Sequence, residues 1–411
     1  MKTKQKPLVM TRMGLIVAIM VMIGFAVLYW TQLRGIWPSV RKPEQNIVSL
    51  IERATTTQPE GPLRIPKGFS LSVFAKDLGD PRVLAFTPSD FNLLLASIPA
   101  RGTVVALIDK NKDGTSDETK TIVAGLNKPH GISVQCAKDG CKLYIAEENA
   151  LVSYDYDPIT ITASGRRVIA PLPEGGVHIT RTLLPQGRKM LVSVGSSCNV
   201  CQETDPKRAS ILEIDIVTGE TKTFATGLRN SVFMAINPHT GAIWATEMGR
   251  DFLGDDLPPD EINIIKKDRK YGWPICYGKN IHDTEFDKNV YFRNPCMEPF
   301  ETPSHIDIPA HSAPLGLAFI PNSWPSEYRG DLLVAYHGSW NRSVPTGYKI
   351  VRYRLDEQGN YKSGEDFITG WLTNNYNALG RPVDILIQEE NGTTYISDDK
   401  AGVVYRLIPP K

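Results

Sequence analysis

A unit of about 50 residues recurs six times along this 411-residue chain, and no other feature restricts the fold as tightly. Each copy runs through a short apolar strand and a turn into a second strand of almost unbroken apolar character. The second strands read NLLLASI, KLYIA, KMLVSVG, AIWATEMG, DLLVAYHG and TTYISDD. A third, more amphipathic strand follows each of them: GTVVALID, LVSYDYD, ASILEIDI, DEINIIK, YKIVRYRL and GVVYRLI. One such sheet cannot cover both of its faces, whereas several stacked in a closed ring do. The expected fold is all-β, a six-bladed β-propeller over residues 63–411. The 33 glycines and 30 prolines show no period, which suits turns between strands when apolar content is ordinary.

Upstream, residues 13–30 (MGLIVAIMVMIGFAVLYW) carry no charge and follow Lys2, Lys4, Lys6 and Arg12. As a helix they would span roughly 27 Å, close to one hydrocarbon core. The run ends in LYWTQ without small residues for cleavage, so it reads as an uncleaved anchor rather than a signal peptide. Residues 1–30 are therefore expected to form a basic cytoplasmic tail and a single transmembrane helix. Residues 31–62 would be a stalk with a short amphipathic helix in EQNIVSLIERA. The propeller would then sit on the periplasmic side of a cell inner membrane, as the positive-inside rule requires. With 46 basic and 45 acidic residues, net charge +1, no broad basic field favours nucleic acid.

Export agrees with the six cysteines. Cys136 and Cys141 bracket a turn, Cys198 and Cys201 form CNVC, and Cys276 and Cys296 bracket an irregular insertion. Three local disulfides are the simplest arrangement, although six cysteines allow others. CNVC also has the spacing of a zinc or redox pair. A zinc site needs two more ligands, and no second C-x-x-C or H-x-x-x-H is present.

Closing the ring would bring the start of every repeat to one mouth, where His130, His178, Arg229, His311 and Arg381 fall in register. A lone histidine in such a place is ordinarily a hydrogen-bonding structural group. Beside a permanently charged Arg229-Asn230 pair, His178 gains a second reading, as the neutral imidazole that accepts a hydroxyl proton. Arg229 offers planar donors for a carboxylate or a developing oxyanion. Asp260 and Glu261 read either as metal ligands or as a polar strand start. His337, Trp340 and Arg342 in YHGSWNRS, with Arg381 and Lys400, add cations and an aromatic face for a planar ligand. DKNKDGTSDE offers Asp109, Asn111, Asp113 and Asp117 at calcium-loop spacing. Lys120 stands where an EF-hand places Glu, so an acidic hairpin tip is the plainer interpretation.

The order G-L-R-N, N-P-x-T-G-x-I-W, E-x-G, D-E-I-N, Y-G-W-P, then HGSW and D-D-x-A-G-x-V-Y-R, resembles the soluble glucose/sorbosone dehydrogenases. These are six-bladed propellers that use pyrroloquinoline quinone (PQQ), and the sorbosone or aldose branch is the nearer one. The resemblance runs from about residue 66 to residue 407. It implies His178 as catalytic base and Arg229 as catalytic and cofactor-binding, with Asn230 beside it. It implies calcium held through the carbonyls of Gly249 and Arg250, supported by Asp260. His337, Arg342, Arg381 and Lys400 would be the further cofactor-side residues. The implied activity is oxidation of an aldose or sugar aldehyde to a lactone or acid. Electrons would pass to a carrier such as a quinone pool or cytochrome. Met248, Arg250 and Val383 depart from the glucose enzyme's pattern at positions near its cofactor. Two other classes share the fold: calcium-dependent lactonases, which present carboxylates and amides at the axis, and non-catalytic binding propellers.

Overall fold

The computed structural model describes residues 8–30, 39–41, 43, 45–54, 61–87 and 90–410. Six antiparallel sheets follow one another along the chain as the blades of a propeller. Their innermost strands are Leu84–Thr87, Ile132–Ala137, Leu183–Gln186, Met234–Ile236, Pro314–Phe319 and Pro382–Ile387. The second strands are buried almost end to end, as in Lys189–Val194 and Leu332–Tyr336. They lie between neighbouring sheets, so both of their faces meet apolar side chains and near-continuous apolar sequence is what that position needs. The outermost strands, such as Thr162–Pro171 and Tyr361–Ile368, are mostly exposed and polar.

The sixth blade is made from both ends of the domain. Its outer strand is Ser70–Ala75, paired antiparallel with Val403–Ile408. Blade three gains a fifth strand, Arg269–Lys270, parallel to Thr221–Thr226. This short strand belongs to an insertion of blade four that climbs the outer edge of blade three. All three local disulfides form: Cys136–Cys141, Cys198–Cys201 and Cys276–Cys296. The CNVC sulfurs are therefore bonded to each other.

Two kinds of loop share one mouth: those linking successive blades and those joining second to third strands. The other hairpins face the opposite mouth. That side receives the Cys136–Cys141 turn and the Asp109, Asn111, Asp113 and Asp117 loop, which joins Thr103–Ile108 to Glu118–Val123.

The helix expected in EQNIVSLIERA forms as Ile47–Ala54, and its apolar face is buried. Ile47, Val48 and Ile51 pack into a cluster with Trp324, Trp371 and Tyr405 of the propeller. Nearby, the Arg41 amide donates to Tyr376 O at 2.7 Å. Residues 31–38 and 55–60 of the expected stalk lie outside the described residues, as do residues 1–7 of the basic tail.

The N-terminal expectation needs correction. A helix does form over Leu8–Leu28, but among the described residues no helix is long and apolar enough to cross a membrane. The uncharged α-helical stretch after Arg12 ends at Leu28, because Tyr29 and Trp30 widen into a π turn. About 16 residues at 1.5 Å each reach roughly 24 Å, short of the ~30 Å core. The transmembrane helix, the membrane partner and the single-pass inner-membrane placement are therefore withdrawn.

Ring closure can be tested through Phe74, 1% exposed on the closing strand. Phe74→Ala is expected to cost about 3–5 kcal/mol, read from the urea midpoint. Val168→Ala, at a position 52% exposed on an outer strand, is expected to cost about 0.5 kcal/mol or less.

Candidate active site

His178 arrives on the loop into blade three, just after Gly175 and Gly176, both of which take positive φ. Its Nδ1 lies 3.1 Å from Ser196 O and 2.9 Å from Ser196 Oγ. The Ser196 hydroxyl already donates to Cys198 O at 2.6 Å. Both neighbours of Nδ1 are thus acceptors, so Nδ1 carries the hydrogen and Nε2 carries the lone pair. The imidazole pKa is lowered to about 3, first by burial and then by the Arg229 charge. Arg181 and Arg208 add to this from below, where they grip the same loop. Arg181 donates to His178 O and Pro173 O, and Arg208 to Glu174 O.

Arg229 and Asn230 open blade four, and its packing on blade three sets them against His178. Ser196, which holds the imidazole, also donates its amide to Arg229 O at 2.7 Å. Gly195 separates His178 from Asn230: a Cβ there would lie 2.6 Å from His178 Cβ and 2.8 Å from Asn230 Oδ1. Only a residue without a side chain lets the two approach. The Arg229 guanidinium is 5% exposed as a residue and donates to Asn199 O, Asn199 Oδ1, Met248 O and Asp251 Oδ2. One Nη1 hydrogen is left for a ligand. Met248 Sδ accepts from Asn230 Nδ2 at 3.4 Å, so this departure from the glucose-enzyme pattern packs within the site.

Gly249 and Arg250 follow the second strand of blade four. Among the described residues their carbonyls accept no backbone hydrogen bond, and Glu247 Oε2, at the end of that strand, is buried without a partner. These oxygens suit a hard cation. Asp260 is placed to hold that backbone, because its two oxygens accept from the Gly249 and Ala313 amides at 2.8 Å each. Burial pushes its carboxyl up to about 7. The Arg250 side chain turns away, to Asp283 at 2.6 Å.

The remaining predicted cations separate into groups. His337 Nε2 meets Asp399 at 2.9 Å, and Arg82 binds the same carboxylate at 2.6 Å. Despite burial, Asp399 is held below the usual carboxylate range by these two partners. Arg381 lies alongside, donating to His337 O and Gly338 O. Arg342 leaves the axis to bind Asp256 and the Asp255 and Ala310 carbonyls. Lys400 is exposed. On the opposite mouth, Asp109, Asp113 and Asp117 accept from amides of their own loop, and Asn111 donates to Asp113. Asn199, Arg82 and Asp251 are the site residues that sequence reasoning missed. No spacing rule announces them, since each matters only through a partner on another blade.

A family model described as TrAA12-like matches residues 63–409. The chain belongs to the TrAA12-like family. An uncharacterized protein of Borreliella burgdorferi is 32% identical over 371 residues, covering 85% of this chain and 91% of that one. A PQQ-dependent pyranose dehydrogenase of Coprinopsis cinerea is 25% identical over 422 residues, covering 85% of this chain and 55% of the enzyme. The chain thus spans about half the length of that relative. The Trichoderma reesei family AA12 structure superposes with TM-score 0.71 at 23% identity, over 84% of this chain and 97% of that one. The PQQ domain of the C. cinerea enzyme gives 0.69 at 20%, over 90% and 99%. Likeness at this identity establishes the propeller fold. Together with the family match, the TrAA12-like chain falls among PQQ-dependent dehydrogenase and AA12-like propellers, an oxidoreductase family. The sorbosone or glucose branch is not distinguished.

Gly195→Ala is expected to displace His178 from Ser196 and reduce any turnover about 10²-fold, with the fold retained. Kinetics and a crystal structure of the variant would check both.

Proposed function

We propose that this TrAA12-like protein is a PQQ- and calcium-dependent dehydrogenase that oxidises an aldose, or a hydrated sugar aldehyde, to the lactone or acid. The observation that carries this is the lone pair on His178 Nε2, kept unprotonated by burial and by Arg229 and set beside Asn230. His178 removes the proton of the C1 hydroxyl. Asn230 orients the oxygen, and the Arg229 charge stabilises it as negative charge develops. The exposed pair Phe252 and Trp340, rings 5.9 Å apart and edge-to-face, offers the apolar face of a sugar ring a surface. Arg229 and Arg381 would hold quinone carboxylates, and the Gly249 and Arg250 carbonyls would hold calcium. When bound, that pair would supply a hydride acceptor and a Lewis acid.

The test is reconstitution of the full chain with PQQ and calcium, followed by dye reduction across aldoses and aldehydes. His178→Ala is expected to lower kcat about 10²–10⁴-fold, and His239→Ala, on the exposed hairpin of the opposite mouth, to leave it unchanged. Absence of PQQ binding to the native chain would overturn the proposal.

The pH dependence follows from the His178 value. A base whose pKa is about 3 stays unprotonated well below the ordinary histidine range. The acid limb of kcat/KM should fall below pH 5, and a limb near 6.5 would contradict the geometry. Stability carries the same sign: the unfolded chain takes up this proton below about 6.5. His178 therefore destabilises the fold progressively as pH drops from there toward 3. His178→Gln should flatten that part of the stability profile.

A further inference from the structure

The Cys198–Cys201 loop joins the second and third strands of blade three and touches both halves of the site. Ser196, at its start, holds the His178 imidazole and donates to Cys198 O. Asn199, between the bonded cysteines, presents two acceptors to one guanidinium. Its backbone oxygen accepts from Arg229 Nε at 2.8 Å, and its Oδ1 accepts from Arg229 Nη2 at 2.8 Å. The same Oδ1 takes the Asp251 amide at 2.8 Å, and Nδ2 donates to Asp251 O at 3.2 Å. Trp273 Nε1 reaches Asn199 O at 3.4 Å from the blade-four insertion.

A residue can aim its carbonyl and its side chain at one partner only in a narrow set of backbone conformations. An open tetrapeptide would lose much freedom in adopting one, and a covalent bridge removes that freedom beforehand. No secondary structure performs this task, because residues 195–202 form neither helix nor strand. Both cysteines are partly exposed and so accessible to a small dithiol. Glu203 contributes by binding the Ser197 amide and hydroxyl, which pins the other side of the loop.

We propose that Asn199 is the positioning residue of Arg229, and that the Cys198–Cys201 bond sets Asn199 in place. Reduction by a dithiol breaks the S–S bond, gives two cysteine thiols and converts the reagent to its cyclic disulfide. The Arg229 half of the site then slackens while the propeller remains folded. The bearing on quinone affinity rests on the function proposed above; the placement of Arg229 does not.

The decisive measurement uses the full chain without cofactor: titration of the His178 ring protons by NMR, which senses the nearby guanidinium. Asn199→Ala is expected to raise the His178 pKa by about one unit with thermal melting little changed. Asn199→Asp keeps the acceptor for Arg229 but adds an anion, so its readout is a crystal structure, in which Arg229 should keep its native position. Cys198→Ser/Cys201→Ser should behave like Asn199→Ala, and Cys136→Ser/Cys141→Ser, on the opposite mouth, like the native chain. With PQQ present, Kd should rise ~10–100-fold in the first and third variants, as for other outer partners of a binding group. A native His178 titration in a folded Asn199→Ala variant would overturn the proposal. If the double serine variant unfolds, the Asn199 pair decides alone. If PQQ fails to bind the native chain, the proposed function falls and the NMR series still decides the placement of Arg229.

Discussion

The pairing of Ser70–Ala75 with Val403–Ile408 is the contact on which the rest of the structure depends. Completing the last sheet with a strand from the other end of the domain ties the two ends of the ring together. Once they are tied, the blade openings lose their independence. Arg82 of blade one lies 2.6 Å from Asp399 of blade six, with His337 of blade five on the same carboxylate. Arg229 of blade four shares a hydrogen-bonded serine with His178 of blade three. An open row of the same sheets would part Arg82 of blade one from Asp399 of blade six, whereas the contact of Arg229 with Ser196 needs only that blades three and four pack side by side.

Electrostatics at the mouth follows from burial. Guanidinium groups removed from water need acceptors, and here backbone carbonyls supply most of them. Arg181 serves the His178 loop, Arg381 serves His337 and Gly338, and Arg229 serves Asn199 and Met248. Burial first, and then the nearby Arg229 charge, keeps the His178 imidazole neutral. The acids respond in the opposite sense. Burial raises Asp260 and Glu261 to about 7 and Glu247 well above its ordinary range.

Much of the architecture was legible because repeats report it directly. Near-continuous apolar second strands mark sheets covered on both faces, and six of them in series require a ring. The meeting of His178, Arg229 and Asn230 at one mouth was legible through register, since each opens a repeat. Asn199 was not: its role comes from a backbone carbonyl and an amide aimed at another blade, and neither has a sequence signature. Arg342 carried a plausible cationic signal, yet Asp255 and Asp256 draw it off the axis. The N-terminal run misled for a different reason. Absence of charge over residues 13–30 gives no information on where the α-helical hydrogen bonding stops, and it stops at Leu28.

The sequence by itself determined the blade count and pointed to three local disulfide pairs as the simplest arrangement. These depend on local periodicity and short spacings, which a chain carries whatever its tertiary path. Only the tertiary structure decided which cations share one mouth, which are spent on carbonyls and rim acids, and which ring nitrogen of His178 keeps its lone pair. Those outcomes depend on distances of about 3 Å between residues remote in the chain. They are set when separate blades and their loops pack together.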